Sequence, residues 1–228
     1  MSMTVYVVAT IRPWNISKFH NEISKIPGKW YLVDEPTKLK IEFLDRINPK
    51  YIFFPHWSEK VSKEITEKYV CICFHETDLP YGRGGSPIQN LINHGHKETY
   101  ITALKMSEEV DGGPVYMKRK MSLYGLAEEI FLRVSELVAE MIGEIVTTNP
   151  IPVPQFGEVV TFKRRKPIQS EINNNNGSLE NLFDQIRMLD ANGYPRAYID
   201  VGNFRIEFKR PALRTDSIEA DVTIKIIR

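Results

Sequence analysis

Cysteine is scarce: 228 residues contain only Cys71 and Cys73. On a strand, residues two apart share one face about 6.6–7 Å apart, too far for a disulfide. No covalent framework is expected, which suits a reducing compartment. Long apolar runs are also missing. Charge interrupts every stretch well short of the roughly 18 residues of a membrane span. The opening MSMTVYVVAT has neither the basic start nor the small-residue cleavage site of a signal peptide, so the expected location is cytoplasmic, with no membrane partner. Neither charge sign is in excess, 30 basic residues facing 29 acidic for a net +1; this gives no overall pull toward nucleic acid or anionic lipid. Internal repeats are absent, and NNNN (173–176) reads as a loop. Against these absences, 42% hydrophobic and 26% charged residues are ordinary globular values and exclude collagen-like or disordered chains. The length suits one or two domains with a sizeable core.

The apolar, β-branched run at 4–10 reads as a buried strand, and 30–34, 51–54 and 69–75 read as further strands. Between them lie helical patterns at 16–26 (cap Asn15 or Ser17), 38–47 and 58–68. Strands alternating with short helices predict a mostly parallel, Rossmann-like α/β sheet with helices on both faces. The order then changes. A short helix at 86–94 precedes strands at 98–107 and 114–122 around a turn at Asp111-Gly112-Gly113-Pro114, and 124–146 is the longest helical pattern. NPIPVPQFG (149–157) breaks that helix and reads as a linker or an extended clamp over the first domain. The expected organisation is a catalytic domain at 1–148, a Pro-rich linker at 149–158 and a small α+β, strand-rich domain at 159–228. The last has strands at 159–163, 197–210 and 218–227 and a helix at 178–190. It holds 12 basic and 9 acidic residues, hence +3.

The window with chemical content is CICFHETDLPYGRGGSPIQ (71–89). His75 ends an apolar strand, and ligands of open α/β sheets bind beyond the carboxyl ends of strands. An imidazole there can take or release a proton near neutral pH. Gly82, Gly84 and Gly85 permit close backbone approach. The alternation Cys71, Cys73, His75 also fits two other chemistries, a metal site or a Cys73 nucleophile with His75 as base. No companion Cys pair or supporting His spacing accompanies it, and no metal is expected. Cys71 reads as buried apolar filler.

This window resembles the formyl-donor segment of the methionyl-tRNA formyltransferase family, roughly Asn-x-His-x-x-x-Leu-Pro-x-x-Arg-Gly-x-x-Pro-x-Gln, with His75, Leu79, Pro80, Arg83, Gly84, Pro87, Ile88 and Gln89 at the family's spacing. TYITALKMSEEVDGGPVY (99–116) resembles its second block, with Asp111, Gly113 and Pro114 in place. FKRRKPIQSEI (162–172) and NLFDQIRMLDANGYPRAY (181–198) resemble the start of its C-terminal domain. The resemblance implies formyl transfer from 10-formyltetrahydrofolate to an amine. It also implies a catalytic trio in which His75 and Asp111 match, while Cys73 stands where the family has Asn. An amide donates a good hydrogen bond to an oxyanion and a thiol a weak one. The donor is expected along the loop Pro55-His56-Trp57-Ser58, with Arg83, Gly84 and Val110 nearby. Glu76 and Asp78 are candidates for the acceptor's cation, and Arg187 for an ion pair between domains. The short tail with its single basic run, Lys163–Lys166, points to a small acceptor amine, a nucleotide-linked amino sugar, in preference to methionyl-tRNA. A folate-binding protein without transferase activity, permitted by Cys73, is the third reading. A homodimer is compatible with each.

Overall fold

The computed structural model describes residues 3–173 and 177–227; of the NNNN loop, 174–176 lie outside them. The elements run β1 (Val5–Ala9), α1 (Pro13–Asn21), β2 (Lys29–Val33), α2 (Ile41–Ile47), β3 (Tyr51–Phe54), α3 (Lys63–Lys68), β4 (Cys71–His75), β5 (Arg83–Gly84), α4 (Pro87–Asn93), β6 (Glu98–Lys105), β7 (Val115–Ser122), α5 (Ala127–Thr148), β8 (Thr161–Phe162), α6 (Leu179–Arg187), β9 (Ala197–Val201), β10 (Phe204–Leu213) and β11 (Ile218–Ile226).

Six strands form one sheet in the order β2-β1-β3-β4-β6-β7. β1 pairs in parallel with β2 and β3, and β3 with β4, whereas β6 is antiparallel to β4. The chain therefore steps to one side of β1 and then to the other, which makes β1 the switch point where open α/β sheets place ligands. The β-branched composition of β1 suits a strand covered on both faces, and Val7, Val8 and Ala9 are fully buried. One cluster of this core unites Val7, Ala9, Val33, Leu44, Ile52, Phe54, Ile65, Tyr69 and Cys71, so Cys71 is apolar filler.

By compactness the chain divides into two units, each assembled from several segments. The first comprises residues up to 84 with 100–121 and 132–161; the second comprises 85–99, 122–131 and 162 onward. The Pro-rich stretch lies in the first, where Val153 bridges to Val115 through paired hydrogen bonds of 2.7 and 2.9 Å. It forms the extended strap that its prolines allow. The second unit holds the antiparallel sheet β11-β10-β9 and α6, capped by Ser178 Oγ accepting from Asn181 N at 3.2 Å.

Several boundaries differ from the sequence pattern for local reasons. Pro13 opens α1, since its ring presets the helical φ at the first turn. Asn15 therefore sits inside the helix, buried, its amide bonded to Thr10 Oγ1 and the Pro55 carbonyl. The helix expected from 58 begins at 63, after Ser62 in extended conformation. The single strand expected at 197–210 is a hairpin, because apolar alternation continues across a turn in which Gly202 takes φ +57°. In β10 the register shifts between Lys209 and Ala212, where Pro211 has no N–H to give the ladder.

Arg187 is an anchor inside the second unit. Its side chain is 3% exposed and donates to Asp184 Oδ1 (2.5 Å), the Leu123 carbonyl (2.6 Å) and the Gly125 carbonyl (2.9 Å). Replacing it with Met strands two carbonyls and leaves a largely buried carboxylate with only Lys97, 3.6 Å away. Arg187→Met is therefore expected to lower unfolding stability by about 2–4 kcal/mol. Urea denaturation checks this; an unchanged midpoint would show that the network contributes nothing.

Candidate active site

β4 delivers His75 to the carboxyl edge of the sheet, where the imidazole is 8% exposed. Its Nε2 lies 2.8 Å from the Gly82 carbonyl oxygen. A carbonyl only accepts, so Nε2 carries a proton and donates it there. Nδ1 faces Asp111 Oδ2 at 3.5 Å. The loop between β6 and β7 thus brings Asp111 to the histidine from a distant stretch of chain. Asp111 has left-handed backbone, φ +53°, and its Oδ2 also accepts the Gly84 N–H at 2.9 Å. Gly82 and Arg83 are held in turn, both N–H groups donating to the Val160 carbonyl at 2.9 Å. Gly113 has to be glycine, because a Cβ there would meet the Lys105 carbonyl oxygen at 1.7 Å.

Cys73 shares the strand face of His75. Burial and the nearby Asp111 charge push its thiol up, and its Sγ lies 3.8 Å from the Leu104 carbonyl. A thiol kept protonated is a poor nucleophile. Burial likewise pushes up Glu76, which the structure encloses beside His56 (Oε1 to Nδ1, 3.8 Å). Asp78 is at the surface and paired with Lys118 at 2.5 Å. Of these two candidates for an acceptor's cation, one is thus enclosed and the other already matched.

The loop expected to meet the donor follows β3. Pro55 is buried, Ser58 exposed, and His56 has φ +50°. The Trp57 ring packs on Phe54 at 5.9 Å between centroids, yet its indole N–H is buried with no hydrogen-bond partner in the structure. Val110, next to Asp111, is 72% exposed. Arg83 and Gly84 contact the Asp111 loop and the strap: Gly84 bonds the carboxylate, and the Arg83 guanidinium is taken up by Glu109 Oε1 (2.6 Å) and Gln155 Oε1 (3.2 and 2.8 Å). Sequence reasoning passed over Gln155, whose signal is a lone amide in a run of prolines and apolar residues. Among the described residues no group of three His, Cys, Asp or Glu side chains is arranged to hold a metal, and no helix is long and apolar enough to cross a membrane.

The chain is thus an α/β protein with a mostly parallel sheet and a histidine–carboxylate pair at the sheet's carboxyl edge, where such sheets bind ligands and where an imidazole can exchange a proton. Two family models match: the "Formyl transferase" model over residues 35–133 and the "Methionyl-tRNA formyltransferase, C-terminal domain" model over 167–225. The solved "Methionyl-tRNA formyltransferase from Clostridium thermocellum" is 45% identical, with a TM-score of 0.93 over 98% of this chain and 100% of that one. The methionyl-tRNA formyltransferase of Thermodesulfovibrio yellowstonii is 28% identical over 205 residues, 85% of this chain. A sugar N-formyltransferase from Shewanella, at 13% identity and a TM-score of 0.73 over 93% of this chain and 99% of its own, shares the fold. The chain belongs to the formyltransferase family. It spans 36–64% of the length of the first curated relatives it matches.

His56 supplies a pH dependence. Burial, with Arg12 adding to it, lowers its pKa from 6.5 to about 3. A depressed folded-state value gives stability that is complete above pH 6.5 and is lost as pH falls toward 3. Between pH 7 and 5 the expected loss from this group is about 2 kcal/mol. His56→Asn, compatible with left-handed backbone, should flatten that part of the stability–pH curve. An equally steep decline in the variant would assign the acid sensitivity elsewhere.

Proposed function

We propose that this protein transfers a formyl group from 10-formyltetrahydrofolate to the amino group of methionyl-tRNA. The observation that carries the reading is its end-to-end similarity, at 45% identity, to a protein bearing that name. That relative has the same extent, so a short tail does not separate the two acceptors. Lys163, Arg164 and Lys166 are exposed, as a phosphate backbone would require.

The residues suit a folate. The loop 55–58 offers backbone groups and the orphaned Trp57 indole N–H to a heterocycle rich in acceptors, and Val110 adds an exposed apolar surface beside Asp111. When bound, the donor supplies an electrophilic formyl carbon. His75 Nδ1 accepts the amine's proton as the nitrogen attacks, with Nε2 held by the Gly82 carbonyl. Asp111, 3.5 Å away, stabilises the imidazolium that results, and the same proton is available to the departing folate nitrogen. No strong donor to the oxyanion comes from Cys73.

Donor consumption measured with methionyl-tRNA, with nucleotide-linked amino sugars and with no acceptor tests the reading. Methionyl-tRNA should support turnover that weakens with salt. Turnover only with an amino sugar would replace the acceptor, and binding without turnover would leave a folate-binding protein. His75→Ala and Asp111→Ala should each lower turnover at least 10²-fold without unfolding the protein, acid–base groups contributing about 10²–10⁴. Undiminished rates would remove that residue from the mechanism. Cys73→Asn should preserve turnover or raise it, by as much as about 10²-fold if the amide reaches the oxyanion; complete loss would instead assign the thiol a role of its own.

A further inference from the structure

The segment that reads as a linker makes the most specific contact with the Asp111 loop. Gln155 Nε2 donates to two backbone carbonyls, those of Asp111 (2.7 Å) and Gly113 (2.8 Å). Its Oε1 accepts from both Nε and Nη2 of Arg83, which is itself buried and also grips Glu109 across the loop. One amide thus holds the loop at either end of Gly112 with its donor side and is itself oriented by a guanidinium on its acceptor side. The two sides are not interchangeable, since carbonyls need an N–H and Arg83 needs an oxygen. The strap is fastened on both sides of Gln155: Val153 bonds Val115, and the Val160 carbonyl accepts from Gly82 and Arg83.

Asp111 needs such a hold. Its left-handed backbone is one that non-glycine residues rarely adopt unaided, and Gly112 and Gly113 beside it resist no alternative. We infer that Gln155 is a positioning residue: it fixes the backbone of Asp111 so that the carboxylate meets both the Gly84 N–H and His75 Nδ1. The inference deepens the formyl-transfer reading and rests on it for its kinetic consequence, while its structural consequence is independent of any substrate.

The Gly84 amide, bonded to Asp111 Oδ2 at 2.9 Å, reports the position of the carboxylate. In Gln155→Ala, hydrogen exchange at Gly84 should quicken at least tenfold, while amides of the central strands such as Phe53 and Ile72 keep their protection. Turnover should fall about 10–100-fold with the donor's KM unchanged, the scale of a small misplacement of a reacting group. Gln155→Glu keeps the oxygen for Arg83 but loses the N–H for the carbonyls, so it should match Gln155→Ala in both measurements. Unchanged exchange at Gly84 in Gln155→Ala, or wild-type behaviour of Gln155→Glu, would overturn the assignment. If Gln155→Ala unfolds, Gln155→Glu alone decides. Failure of the wild-type protein to transfer formyl groups would defeat the functional reading and leave the exchange result standing.

Discussion

Everything in this site depends on a carboxylate being kept 3.5 Å from an imidazole nitrogen although one comes from the end of β4 and the other from the distant loop between β6 and β7. Both partners are fastened mainly through backbone groups. The Gly82 carbonyl accepts from Nε2 of His75, and the Gly84 N–H claims one oxygen of Asp111. Residues 82–84 are thus a common frame for both side chains, and the Val160 carbonyl stiffens that frame by taking two of its N–H groups. The glycines let the main chain come close enough to serve as the ligand. Water is largely excluded from the pair, 8% and 16% exposed, so its electrostatic coupling is stronger than at the surface.

The neighbouring ionisable groups are arranged not to compete. Burial drives Glu76 and Cys73 toward their protonated forms and His56 toward its unprotonated one, so all three tend to neutrality. The His75–Asp111 pair therefore sits among groups that do not carry charges of their own. The cost appears as acid sensitivity, because His56 binds its proton far more readily unfolded than folded.

Much of this was legible in the sequence, and unevenly so for physical reasons. β1, β3 and β4 announce themselves because strands covered on both faces need unbroken apolar runs, and His75 is conspicuous as the first polar residue after one. Asp111 is marked as a candidate by the resemblance of its block to the family pattern, its glycine-rich turn by itself indicating only a turn. What stayed hidden concerns backbone contacts across the fold. Arg83 reads as a residue that holds its loop or lies near the donor, and nothing in its own segment points to Glu109 or Gln155 as its partners. The 149–157 stretch displayed its prolines, hence its extended conformation, but not the partner it would lie along. Asn15 resembled a helix cap until Pro13 claimed the first turn, and the β9–β10 turn was masked by apolar residues on both sides.

Cys73 sets the demands on the rest of the site. In the position where the family pattern has an amide, the chain carries a thiol that burial keeps protonated and that lies beside the Leu104 carbonyl. It therefore brings neither a nucleophile nor a strong donor. On the formyl-transfer reading proposed above, one source of transition-state stabilisation is weakened, and more of the barrier would have to be lowered by proton transfer at His75, supported by Asp111. A site with fewer donors would tolerate less positional slack in those it retains, which gives that reading a physical reason for tying the Asp111 loop down from both sides.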